Sequence, residues 1–191
     1  MSHTPSPHTS TVTFGFWVYL MTDAVLFAGL FATYAVLESA TFGGPGGKEL
    51  FSLSFVLTQS IVLLTSSFLM GLALIAAGHA KKTLALLALA ATFILGASFV
   101  ALELVEFAHL IAEGHGPATN AFLSAFFTLV GTHGLHVSVG LLWMFVVGMH
   151  LVLRGFTEGT LRKLSCLGLY WHFLDLIWIF LFTIVYLFAF V

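Results

Sequence analysis

The sequence predicts an all-α integral membrane fold, a bundle of five transmembrane helices, and three observations carry that prediction. Sixty percent of the 191 residues are apolar and only 7% are charged, a composition far from that of water-soluble domains. The apolar residues form five continuous runs, each long enough to supply the roughly 20 helical residues that cross a hydrocarbon layer of about 30 Å. Gly, Pro and charge are concentrated between the runs, as connections require. Continuous rather than alternating hydrophobicity selects helices over the strands of a barrel, and a helix in lipid satisfies its own backbone hydrogen bonds.

In chain order the spans are read at 14–38, 53–78, 83–110, 121–153 and 165–191, forming one membrane domain over residues 14–191. Residues 1–13, MSHTPSPHTSTVT, contain no Lys or Arg and read as a short polar tail rather than a cleavable signal peptide. The connections are GGPGGKE (43–49), HAKK (79–82), AEGHGPATN (112–120) and RGFTEGTLRK (154–163), each too short to build a separate soluble domain. Ala24, Ala28 and Ala32 in the first span, and Gly131, Gly134 and Gly140 in the fourth, are expected to permit close helix approach. The single cysteine, Cys166, excludes an internal disulfide. A net charge of −2 leaves no basic face for nucleic acid.

The distribution of positive charge sets the expected orientation. All six Lys and Arg lie in connections. Lys81, Lys82, Arg154, Arg162 and Lys163 occupy the second and fourth, whereas only Lys48 lies in the first and third. Cytoplasmic connections carry the Lys and Arg excess, so the N-terminus is expected in the cytoplasm and the C-terminus outside.

Against this apolar background four carboxylates fall inside spans, Asp23, Glu103, Glu106 and Asp175, with no Lys or Arg beside them. A charge near mid-bilayer costs about 2.5–3.5 kcal/mol on insertion scales, so such groups face protein or water. Three polar pairs stand at i,i+3 spacing: Glu103 with Glu106, His133 with His136, and His172 with Asp175. Each pair shares a helix face. At about 1.5 Å rise per residue, the expected orientation puts Glu103 and Glu106 in the outer half. It puts Asp23, His172 and Asp175 in the inner half, His136 near the midplane and His133 slightly outward.

Two metal-based readings follow from these residue types. Glu106-x-x-His109 and His133-x-x-His136 imitate part of a di-iron carboxylate site, but such a centre uses two Glu-x-x-His motifs and two further glutamates. An independent membrane metalloenzyme or small transporter using Glu106, His109, His133 and His136 is the alternative function. His136 and His150 share a face as stacked haem ligands would, but helix five supplies only His172, so the ligand set for two haems is incomplete. A proton path needs a continuous relay across the membrane. Here the polar groups divide between different helices, which favours contacts with helices, lipid or neighbouring subunits. Ser66, Ser67, Thr128 and Thr132 read as backbone-bonded helix residues.

Five blocks carry a family resemblance: FGFWVYLMTDAVLFAGLFATYAVL (14–37), GGPGGKELFSLSFVL (43–57), LELVEFAHLIAEGHGP (102–117), NAFLSAFFTLVGTHGLHVSVGLLWM (120–144) and LYWHFLDLIWIFLFTIVYL (169–187). On these the chain resembles subunit III of haem-copper terminal oxidases, most closely the five-helix form of cytochrome bo-type ubiquinol oxidases. Glu106 matches the glutamate of the family's helix-three motif, His133 and His136 match its paired histidines, and Trp171, His172 and Asp175 match its WHFLD block. Many cytochrome c oxidase subunits III have seven spans, and this chain lacks the first two. The resemblance implies a non-catalytic subunit that binds no haem, copper or quinol itself. It implies packing beside the haem- and copper-bearing subunit I, with subunit II and a small subunit IV as further partners. It also implies retention of phospholipid and support of proton uptake in a proton-pumping quinol oxidase.

Overall fold

The structure is a computed structural model and describes residues 7–44 and 46–190, with side chains from Thr11 onward. Its elements in order are α1 (Pro7–Leu37), a single turn α2 (Gly47–Leu50), α3 (Leu53–Gly78), α4 (Lys82–Ala112), α5 (Ala121–Arg154) and α6 (Glu158–Leu181). The last helix continues through a π-helical segment, Phe182–Leu187, into a 3-10 turn, Phe188–Phe190. Five helices are long and apolar enough to cross a membrane, and no strand occurs among the described residues.

The interiors of the spans match the sequence reading, and the differences lie at ends governed by local chemistry. Helix α1 already runs from Pro7, within the stretch read as a tail; proline is favoured in a first turn because its missing N–H has no intrahelical acceptor. Residues 1–6 of that tail lie outside the described residues. Helix α6 begins at Glu158, seven residues before the expected 165. The Thr157 hydroxyl accepts the Thr160 N–H at 3.2 Å, an N-cap that turns EGTLRK into helix. Asn120 caps α5 in the same way, accepting the Leu123 N–H at 2.7 Å. At the end of α4, Gly114 takes φ +85° and the His115 N–H reaches the Leu110 carbonyl at 2.8 Å. That left-handed glycine closure satisfies carbonyls the helix itself leaves open.

Helices α3, α4, α5 and α6 form a closed ring in which each packs on the next and α6 returns to α3, while α1 lies outside against α5 and α6. Only 22% of the apolar window of α1 is buried, against 28–39% for the others, so α1 is the peripheral helix. It buries Leu20, Asp23, Phe27 and Tyr34, positions that share one helix face. This corrects the expectation for its small residues. Ala24 and Ala28 line a groove of about 540 Å³ between α1 and α6, and Ala32 is exposed; bulky residues, not alanines, make the α1 contact.

On α5 the small residues do admit a neighbour. The buried Trp171 indole of α6 lies at the centre of the ring, between Gly96 of α4 and Gly140 of α5. A Cβ on Gly96 would stand 2.8 Å from the indole, and one on Gly140 3.1 Å from it. Gly134 likewise faces the Glu103 carboxylate, whereas Gly131 makes only an ordinary 3.6 Å contact with Phe107.

This packing yields a direct comparison. Gly96→Ala overpacks the indole and should destabilise the fold by about 1–3 kcal/mol, seen as a lower thermal transition in detergent. Gly29→Ala, which meets nothing within 4 Å, should leave that transition in place. Equal transitions for the two variants would remove Trp171 from its assigned place.

Candidate intramembrane polar site

The polar side chains inside the bundle form a ladder and three clusters. The ladder joins antiparallel α3 and α6. The Trp171 indole N–H donates to the Ser66 hydroxyl at 3.1 Å, and the Trp178 N–H donates to the Ser60 hydroxyl at 3.0 Å. One residue along each helix from the first rung, Ser67 Oγ and His172 Nδ1 are 2.8 Å apart. The Ser66 hydroxyl in turn donates to the Thr92 carbonyl of α4 at 3.2 Å. Ser66 and Ser67 therefore bond across helices, not within their own turn as expected. A serine hydroxyl is both donor and acceptor, and the indole N–H groups use its accepting capacity at Ser66 and Ser60. Thr128 does bond its own helix, at the Ser124 carbonyl, 2.7 Å away.

The first cluster holds the acid pair. Glu103 is 3% exposed, and one of its oxygens, Oε2, has no hydrogen-bond partner. Glu106 Oε2 accepts from the Gln59 amide at 3.2 Å and lies 3.5 Å from the Tyr186 hydroxyl. The π-helical segment supplies that tyrosine: its wider turn carries Tyr186 inward, and the Tyr34 hydroxyl of α1 stands 3.5 Å from the neighbouring Val185 carbonyl. π-helical turns often occur where a side chain must be re-aimed at a functional group.

The second cluster surrounds α5. His133 is fully buried, with the rings of Trp178, Phe99 and Phe27 at 5.4, 5.9 and 6.3 Å, and neither ring nitrogen has a partner. His136 donates from Nδ1 to the Thr132 carbonyl at 2.7 Å, and its own carbonyl accepts the Tyr170 hydroxyl at 2.9 Å. Asp23 faces Tyr19 and Tyr170 and keeps an unpartnered Oδ2. In the third cluster Asp175 lies beside Ser67 and His172, with Oδ1 unpartnered.

Of the sequence-predicted pairs, His172 and Asp175 share Ser67, whereas the members of the other two meet different partners. Glu106 meets Gln59 and Tyr186 while Glu103 faces Gly134, and His133 points into an aromatic cage while His136 turns back to its own helix. His109 is 70% exposed and pairs with Glu113 at 3.5 Å. His150 donates to the Val146 carbonyl at 2.8 Å. Among the described residues no three His, Cys, Asp or Glu side chains converge as a metal site. The chemistry on offer is hydrogen bonding and proton holding within an apolar bundle.

With that geometry in place, the comparisons are decisive. The family description cytochrome c oxidase subunit III matches residues 2–190. The chain belongs to this family. Among its relatives, the cytochrome bo(3) ubiquinol oxidase subunit 3 of Pseudomonas aeruginosa is 56% identical over 174 residues, covering 91% of this chain and 83% of the relative. The subunit of the same name from Pseudomonas putida is 53% identical over 173 residues, 91% and 84% of the two chains. The cytochrome c oxidase subunit 3 of Bacillus sp. strain PS3 is 44% identical over 173 residues, also 91% and 84%.

Within this subunit III fold, sequence reasoning missed Gln59, Ser60, Tyr34 and Tyr186 as members of the polar network. Gln59 carried a readable signal: it is the only glutamine in the chain and lies inside a span, where an amide needs a partner. The tyrosines had none, because a tyrosine in a span serves equally well at an interface.

The ladder can be measured. A double-mutant cycle on Ser66→Ala and Trp171→Phe should show a favourable coupling of about 0.6 kcal/mol, the average for bonds between membrane helices, read from unfolding in mixed micelles. Strict additivity would show that the rung contributes nothing.

Proposed function

We propose that this chain is the non-catalytic subunit III of a proton-pumping ubiquinol:oxygen oxidoreductase of a bacterial inner membrane. The observation that carries the proposal is the 56% identity, across 91% of the chain, to a protein named cytochrome bo(3) ubiquinol oxidase subunit 3. Quinol as the donor rests on the names of two relatives at 56% and 53% identity, both ubiquinol oxidase subunits; at 43% and 44% identity, relatives named for quinol and for cytochrome c stand side by side. Chain length does not separate the two donors, since the aligned region is 84% of the relative named for cytochrome c as well. On this reading haems and copper sit in subunit I, and the chain contacts subunits I, II and IV and membrane phospholipid. Asp23, Glu103, Glu106, His133, His136, Trp171, His172 and Asp175 hold helices, lipid and neighbours in place and support proton uptake.

The fold supports a role as part of a larger body. Bulky apolar side chains such as Val25, Val36, Leu142 and Leu153 point outward, as lipid or partner helices require. Purification from the native membrane should yield the chain with a larger haem-bearing subunit, in a complex that oxidises ubiquinol in preference to reduced cytochrome c. A chain that migrates alone, or a complex that takes electrons only from cytochrome c, would defeat the reading. In the same preparation Glu106→Ala should lower the amount of this chain retained per haem.

The orientation is proposed with the N-terminus cytoplasmic and the C-terminus periplasmic, from Lys81, Lys82, Arg154, Arg162 and Lys163 at one membrane face. Alkaline phosphatase, which matures only outside the cytoplasm, should be active when fused after Val191. Inactivity there, with activity when fused in the 154–157 connection, would reverse the topology.

A further inference from the structure

Two adjacent carboxylates in a membrane interior need a counter-charge, and the surrounding elements do not supply one. Glu103 and Glu106 are one turn apart on α4, where i,i+3 neighbours lie about 5–6 Å apart between Cβ atoms. Helix α3 presents Gln59 to Glu106, the segment after α6 presents Tyr186 to Glu106, and helix α1 presents Tyr34 only to Tyr186 and the Val185 carbonyl. Helix α5 presents Gly134, against which the Glu103 carboxylate packs so closely that a Cβ would overlap it. The nearby His133 of α5 is caged by Phe27, Phe99 and Trp178. None of these groups is a Lys or Arg. All six cations of the chain lie in its connections or at helix ends.

The two acids differ in what they meet. Glu106 has two neutral donors directed at one oxygen, a setting that suits a carboxylate. Glu103 has an oxygen with no donor at all. Two like charges one helical turn apart in a low-dielectric site oppose each other's ionisation, so one of the two acids is favoured to keep its proton.

Their access to water differs as well. Glu106 lines a pocket of about 240 Å³ with Ser52 and His109 between Leu50 and the last turns of α4, and Glu103 does not line it. His109 stands exposed at the membrane face, paired with Glu113. The order from solvent inward is therefore His109 and Ser52, then Glu106, then Glu103, ending against Gly134.

We propose that Glu103 and Glu106 form an exchangeable proton site: one proton is shared by the pair and reaches water through the pocket lined by Ser52 and His109. Only O–H bonds are made and broken. The proton passes between water, Glu106 and Glu103, leaving one negative charge with the Gln59 and Tyr186 donors. The site does not depend on which donor or partners the complex has.

Infrared difference spectroscopy tests this on the chain purified from its native membrane with the polypeptides that accompany it. The wild-type minus Glu103→Gln spectrum should show one protonated-carboxyl C=O band that shifts down on transfer to D2O. In Glu106→Gln the band should persist at a displaced frequency, because the remaining acid keeps the proton; this variant serves if Glu103→Gln does not assemble. Ser52→Phe, which narrows the pocket, should slow the D2O shift several-fold without removing the band. Loss of only ionised-carboxylate bands in both Gln variants would overturn the shared proton. A band that never shifts in D2O, or shifts at an unchanged rate in Ser52→Phe, would overturn exchange through this pocket.

Discussion

The structure depends on the bonds that run from the indoles of α6 to the serine hydroxyls of α3. Between helices in lipid the hydrophobic effect gives no net attraction, because the alternative neighbour is equally apolar. What brings α3 and α6 into one register is the pairing of Trp178 with Ser60 and Trp171 with Ser66. Seven residues along α6 correspond to six in the opposite direction along α3, so each rung stands near two helical turns from the other. A slip of one residue would leave both N–H groups without acceptors in hydrocarbon. The lower rung also ties in the remaining helices: Ser66 bonds the Thr92 carbonyl of α4, and the indole fills the gap between Gly96 and Gly140. One tryptophan of α6 therefore touches the other three helices of the ring.

From that register the polar site follows. Trp178, held by Ser60, forms one wall of the cage around His133 and stands edge-on to Phe99, 4.6 Å away between ring centroids. About one turn beyond it, the helix widens into its π segment, which carries Tyr186 to Glu106. Gln59 precedes Ser60 on α3, so the residue that anchors Trp178 and the residue that meets Glu106 are placed together. Peripheral α1 contributes less to this core: it adds Tyr34 and Phe27 to the network and leaves a groove with α6. A closed ring with one loosely covered outer helix is the shape of a part that is completed by its neighbours.

The fold was legible in the sequence where the bilayer itself dictates the pattern. Leu53–Gly78 stands in the structure as it was read, because nothing but a helix end interrupts its apolar run. The starts of α1 and α6 were not legible from hydropathy, since Pro7 and the Thr157 cap extend helix into polar sequence. The small residues were half legible. Gly134 and Gly140 admit a neighbouring group, but Ala24 and Ala28 line a groove, because small size permits contact without specifying which helix makes it. The acids and histidines stood out by their cost in lipid. Their partners did not, because Ser60, Ser66, Ser67 and Tyr186 are common in spans and acquire meaning only from the helix opposite.

The polar residues of the bundle divide by whether their hydrogen-bonding capacity is matched inside the chain. The indoles, serines and Tyr170 are neutral and matched, and such groups hold helices together without further aid. Asp23, Glu103 and Asp175 each retain an oxygen without a donor, and a carboxylate left so in hydrocarbon would be unstable. Their positions are also separate: Asp23 between α1 and α6, Asp175 against Ser67, Glu103 against Gly134. Stability of the isolated fold does not explain acids in these places, because a neutral residue of similar size would cost less. Each is a point where a carboxyl oxygen goes unmatched by the chain's own side chains. The ladder holds α3 and α6 in register, and the unmatched acids take no part in it.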